Sequence, residues 1–153
     1  MSKSSDSINA AQQTDDGGYI LAGTTHTGAS DLDGWLVKSD TEGNQVWSQT
    51  FTQANTNIFN DVQQTTDGGY ILAGCTGTKD SSGIHSKEDG WVVKTGSNGE
   101  ETWSYTFGGK HPDEFNSVLQ TSDGGYILGG WASSTTTAEP IGWLVKLKSE
   151  EML

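Results

Sequence analysis

The sequence predicts an all-β chain of the β-propeller type: three four-stranded antiparallel blades, the third incomplete, about eleven strands in all. Three observations predict it. The motif DGGYILAG stands at Asp16–Gly23 and again at Asp67–Gly74, and returns as DGGYILGG at Asp123–Gly130. Gly-Trp, two aliphatic residues and Lys recur at Gly34–Lys38, Gly90–Lys94 and Gly142–Lys146. Trp47–Phe51 recurs as Trp103–Phe107, and the twelve-residue interval from Trp35 to Trp47 is kept from Trp91 to Trp103. Self-similarity at such a period marks a repeat architecture in which each unit is one supersecondary module.

Each repeat carries four short strand signals. The first is NAAQQT, NDVQQT or NSVLQT, starting at Asn9, Asn60 and Asn116. A Thr/Ser-Asp-Gly-Gly turn follows and predicts a two-residue hairpin, because Gly accepts positive φ. The second strand is YILAG or YILGG. Next come the variable loops Thr24–Asp33, Thr76–Asp89 and Ala132–Ile141. They hold all the length variation: Tyr to the next Trp is 16, 21 and 17 residues. Variable spacing marks a surface connection that tolerates insertion. GWLVK or GWVVK forms the third strand. Asp40–Asn44 or Gly96–Gly99 turns the chain into QVWSQTF or ETWSYTF, the fourth. These runs are short, rich in Val, Ile, Tyr and Trp, and bounded by turn residues, and no stretch has helical periodicity. The blades fall at about 8–51, 58–107 and 114–148 of a single repeat domain, 1–153.

Four antiparallel strands per repeat of about 50 residues is the size of a propeller blade. Sandwich strands do not repeat in sequence every four strands, solenoid repeats are shorter, and the Kelch and WD signatures are absent. Twelve residues beyond Trp143 lies past Leu153, so no fourth strand is expected in the third blade. The array therefore reads as an open arc or a piece of a larger ring, completed by further blades or by self-association. Cyclic symmetry permits two copies to form a six-bladed ring.

The pattern N-x-V-Q-Q-T-x-D-G-G-Y-I-L-A-G, followed by D-G-W-L-V-K-x-D-x-x-G-x-x-x-W-S-x-T-F, resembles the repeats of bacterial and archaeal surface or secreted β-propeller proteins over nearly the whole chain. That resemblance implies an extracellular or cell-surface setting. The stretch D-x-x-G-x-x-x-W also resembles the tryptophan-docking motif of quinoprotein propellers. It implies that Trp47 and Trp103 wedge between neighbouring blades and that Gly43 and Gly99 make the turns. The sequence departs from that motif in lacking its Thr-Gly pair and in carrying Gly96 where the first repeat has Asp40.

Charge excludes some partners. The chain has 8 Lys and no Arg against 20 acidic residues, a net charge of −12. Phosphate backbones are held by Lys and Arg clusters, so no nucleic-acid partner is expected, and anionic membranes repel such a chain. Surface Asp and Glu keep an extended β-protein soluble. The single cysteine, Cys75, excludes an intrachain disulfide and a thiolate zinc cluster, and its place at a strand end reads as a packed thiol. No run reaches the roughly 18 apolar residues of a spanning helix. Met1–Ser7 is polar, so no signal peptide is expected.

Chemistry-bearing residues read structurally. His26 and His85 fall in variable loops and His111 in the connection between the second and third repeats. Loops on one face would group them with Asp31, Asp80, Glu88, Asp113 and Glu114. Imidazole and carboxylate together suit a divalent cation, but the spacing matches no metal motif, so they read as exposed loop side chains. Asp16, Asp67 and Asp123 recur in every repeat, as turn carboxylates that accept backbone N–H groups should. Asp40–Asn44, like Asp31 and Asp33, lacks the alternating carboxylates of a calcium loop. No serine sits in a nucleophile elbow, and Gly108-Gly109-Lys110 lacks the rest of a phosphate loop. Trp35, Trp91, Trp143, Tyr19, Tyr70 and Tyr126 are expected to be buried. Trp131 replaces the Thr24 and Cys75 of the other repeats and either fills a gap or stacks on a sugar.

No catalytic residue, cofactor or metal ligand is assigned. The expected function is a non-enzymatic binding or structural scaffold whose loops contact a glycan or protein. The alternatives are a propeller fragment without independent function and a quinoprotein-type enzyme.

Overall fold

The computed structural model describes residues 6–28, 31–79, 86–133 and 139–149. These residues form eleven strands and no α-helix. Sheet 1 is an antiparallel meander of β1 (Ser7–Gln13), β2 (Tyr19–His26), β3 (Leu32–Ser39) and β4 (Gln45–Phe51). Sheet 2 repeats it with β5 (Thr56–Gln64), β6 (Tyr70–Lys79), β7 (Ser86–Thr95) and β8 (Glu101–Phe107). Sheet 3 has three strands among the described residues: β9 (Asp113–Gln120), β10 (Tyr126–Ser133) and β11 (Pro140–Leu147). A single parallel pair, Leu32 at the start of β3 with Thr56 at the start of β5, joins sheets 1 and 2.

The hairpin turns differ from the two-residue loop that the sequence predicts. Gly17 N–H donates to Thr14 C=O, and Thr14 N–H donates to Gly18 C=O. Three residues therefore make the loop, ending at Gly17 with φ of 83°. The same five-residue unit closes at Thr65–Gly69 and Thr121–Gly125, and joins β3 to β4 at Asp40–Asn44 and β7 to β8 at Gly96–Glu100. The second Gly of each DGG is required by crowding: a Cβ on Gly18 would lie 2.3 Å from Ser39 O.

The sheets stack face to face through two apolar layers. Strand alternation turns Ile20, Ala22 and Leu36 of sheet 1 toward Phe59, Tyr70, Leu72, Trp91 and Val93 of sheet 2. The opposite face of sheet 2, with Ile71, Ala73 and Val92, meets Phe115, Val118, Tyr126 and Leu128 of sheet 3. We call the face turned to the preceding sheet the front and the other the back. Aromatic pairs repeat at both steps. Phe59 stacks on Trp91 at 4.8 Å, as Phe115 does on Trp143 at 4.6 Å. Trp47 of sheet 1 reaches over Tyr70 at 6.0 Å, and Trp103 over Tyr126 at 5.8 Å.

The predicted aromatic burial holds for Trp91, Tyr70 and Tyr126, but not throughout. Tyr19 is exposed, and Trp35 and Trp143 are only partly buried. Tyr19 and Trp35 lie on the front of sheet 1, where no sheet covers them among the described residues. Trp143 packs against the second layer but sits in a sheet that has no fourth strand among the described residues.

Candidate functional site

The stack has two ends. One carries the five tight turns, and the other carries the β2–β3, β6–β7 and β10–β11 hairpin tips with the connections between sheets.

At the turn end every DGG carboxylate does more than shape its turn. Asp16 accepts from Gly18 N–H at 3.0 Å and from the Thr14 hydroxyl. It also pairs with Lys38, the last residue of GWLVK, at 3.0 Å, and Lys38 Nζ donates to Ser39 C=O. Asp67 does the same with Thr65, Gly69 and Lys94. Asp123 does so with Thr121, Gly125 and Lys146. The hydrogen bond from Thr14, then that from Lys38, holds the Asp16 carboxyl at about 2. At Asp67 burial pushes upward, but the bonds from Thr65, Lys94 and Gly69 outweigh it and bring it to about 2. Asp123 is likewise lowered, first by Thr121 and then by Lys146. Lys38 and Lys94 are buried under the following sheet, whereas the Lys146 side chain is 34% exposed. Sequence reading found the carboxylates but missed their lysines. The signal was available, since a Lys closes GWxVK in all three repeats.

Between sheets 1 and 2 this end opens a cleft of about 570 Å³ lined by Asp16, Lys38, Trp47, Gln64 and Tyr70 among others. Within it Asp16 and Lys38 satisfy one another, and Asp40 accepts from the Glu42 and Asn44 N–H groups. Burial, and next the Asp16 charge, raises the Tyr70 phenol.

At the tip end a second recurring lock was not anticipated. Asn57, fully buried, accepts from Gln53 N–H, Ala54 N–H and the Thr76 hydroxyl, and donates to Leu32 C=O and Ala54 C=O. Asp113 holds the equivalent place, accepting from Gly109 N–H at 3.0 Å and Ser133 N–H at 3.1 Å. Asp6 holds the place in sheet 1, accepting from the Thr25 hydroxyl and His26 N–H. Asp113 is therefore buried and pins the β8–β9 connection, not a surface carboxylate as its loop position suggested.

Other predicted positions scatter along this end. His26 closes β2 rather than lying in a free loop, and His111 sits in the β8–β9 connection. His85 and Asp80 lie outside the described residues. Asp31 accepts from Asn55 at 3.4 Å, and Asp33 accepts from the Thr27 and Thr52 hydroxyls. Glu114 accepts from Asn60 at 2.6 Å. Glu88 lies 3.9 Å from the buried Cys75 thiol, whose ionisation is pushed up by burial and then by Glu88 and Glu114. Asp89 is raised by burial, with Asp113 adding repulsion and Lys87 opposing it. Its buried Oδ1 finds no donor among the described residues. Among those residues no three His, Cys, Asp or Glu side chains converge as a metal site. No described helix is long and apolar enough to cross a membrane.

No protein-family model matches the chain, and no curated protein matches it.

Proposed function

We propose that the chain is a non-enzymatic β-propeller repeat module of a surface or secreted protein, a scaffold that binds a glycan or protein through its hairpin tips. One contrast carries this reading. The framework and both of its polar locks repeat from sheet to sheet, while the tips differ in length and sequence. Constant scaffold under variable connections is the usual division of labour in binding folds. The acidic residues at the tip end favour a ligand bearing hydroxyl groups or positive charge over a polyanion.

The reading is tested by replacing residues 27–31, 80–85 and 134–139 with Gly/Ser segments of equal length. Wild-type and altered chains are compared on panels of neutral and cationic glycans and of purified extracellular proteins. The replacement should abolish binding while leaving the thermal transition in place. Binding that survives the replacement would overturn the assignment to the tips.

A further inference from the structure

We propose that the front of sheet 1 is the seat for the back of sheet 3 of a second copy of this chain, joined head to tail. The two faces are the halves of a contact that the chain already makes twice. In sheets 2 and 3 the front is packed against its predecessor, with Phe59, Tyr70 and Leu72, then Phe115, Tyr126 and Leu128, all nearly inaccessible. Sheet 1 presents the same positions as Ile8, Tyr19 and Leu21, flanked by Trp35 and Val37, around an open cleft of about 350 Å³.

The opposite half is on sheet 3. In each internal step a Phe ring presses onto the glycine of Gly-Trp. A Cβ on Gly34 would lie 2.6 Å from the Phe59 ring, and one on Gly90 would lie 2.8 Å from the Phe115 ring. Gly142 keeps the glycine, yet among the described residues nothing lies within 4 Å of where its Cβ would be. A ladder of side chains points the same way. Asn9 donates to Phe59 C=O at 2.8 Å and Asn60 to Phe115 C=O at 2.9 Å, while Asn116 is exposed. In a second copy its acceptor is Ile8 C=O.

Two positions on the back of sheet 3 are apolar and yet exposed. Leu119 stands where Gln12 and Gln63 do and is 51% exposed. Leu144 stands where Leu36 and Val92 are fully buried and is 69% exposed. A face meant for water in a stacked array carries polar residues instead, and an exposed apolar patch marks an interaction surface. Size also compensates across the seam. Trp131, opposite Gly142 in the β10–β11 register, is larger than Thr24 or Cys75. Ile8, which would enter the Gly142 socket, is smaller than Phe59 or Phe115. That match favours a second copy as the occupant over a further blade carrying Phe. The end of the cleft at Tyr19 and Gly43 has no counterpart to Trp47 among the described residues of sheet 3, so this contact is smaller than the internal ones.

Two variants test the proposal without touching an internal contact. Gly142→Val fills the empty socket, and Ile8→Asp charges the exposed insert. Analytical ultracentrifugation is run up to about 0.1 mM, which saturates micromolar contacts. Salt is held at about 0.5 M to screen repulsion between chains of net charge −12. Wild type should sediment above the 16.3 kDa of one chain. Each variant alone should be monomeric, with circular dichroism and melting unchanged when compared at dilution. Mixed in equal amounts they should regain a two-chain species, because one intact front then faces one intact back. A wild-type monomer at every concentration, association that survives either variant, or a mixture that stays monomeric would each overturn the head-to-tail contact.

Discussion

Truncating Trp91 to Ala should cost far more stability than truncating Trp35, although both occupy the same place in their repeats. Trp91 is 1% exposed and stacked on Phe59 at 4.8 Å with an interplanar angle of 15°. Burying an indole removes about 200 Å² from water, worth about 5 kcal/mol at 25 cal/mol per Å². Measured truncations of large core aromatics cost about 3–5 kcal/mol. The Trp91 indole N–H is buried and finds no acceptor among the described residues. Its removal relieves that cost, so the loss should fall near about 3 kcal/mol. Trp35, open to the front cleft, should lose about 1 kcal/mol. Urea unfolding followed by circular dichroism separates the two, at dilution so that self-association does not cover Trp35. With a slope of about 2 kcal/mol per molar urea, the Trp91→Ala midpoint should fall by about 1.5 M. Equal shifts for both variants, or an unmoved Trp91→Ala midpoint, would refute the stacking order from which these values come.

Acid should weaken the fold between pH about 4 and about 2. Asp16 and Asp67 titrate near about 2 in the folded chain against 3.8 ordinarily, so their contribution is present above that value and lost as pH falls through the lower one. Asp67→Asn should flatten this dependence by about 1 kcal/mol or less, because its carboxylate is 62% exposed and screened by water; an unchanged acid profile would show that the Lys94 pair contributes nothing. The Cys75 thiol, buried and raised in pKa, should react with a thiol reagent only after unfolding, and prompt modification of the native chain would contradict its packing.

The strands were legible because period-two apolar runs bounded by Asp, Asn and Gly are a local signal, and sheet formation here is local too. Each sheet is a meander of strands consecutive in sequence. What one sheet does to the next was harder to read. Tyr19 and Trp35 carry the same letters as Tyr70 and Trp91, but burial depends on whether a neighbour covers them, which no repeat motif states. The Asp–Lys locks were hidden because the partners stand 22 residues apart in sheet 1 and 27 in sheet 2, across a whole hairpin. Asn57 and Asp113 were hidden because the repeat varies between amide and carboxylate there, so the eye passes over it. Both accept from backbone N–H groups, which is the property the position keeps.

The middle hairpin shows how this framework accommodates insertions. Beyond the pair of Gly23 with Trp35, three further rungs lead to the tip of sheet 1, ending at His26 with Leu32. Beyond Gly74 with Trp91 there are five, ending at Lys79 with Ser86. Two added rungs consume four of the five residues by which 21 exceeds 16, and the odd one falls between the strands. The sheet 3 hairpin, one residue longer than the first, keeps three rungs and also places its extra residue there. Growth by whole rungs leaves inward and outward positions unexchanged. Gly90 therefore stays beneath Phe115 however long the hairpin above it becomes. Lineages of such repeats can elaborate their tips freely while the grammar of the stack below is inherited intact.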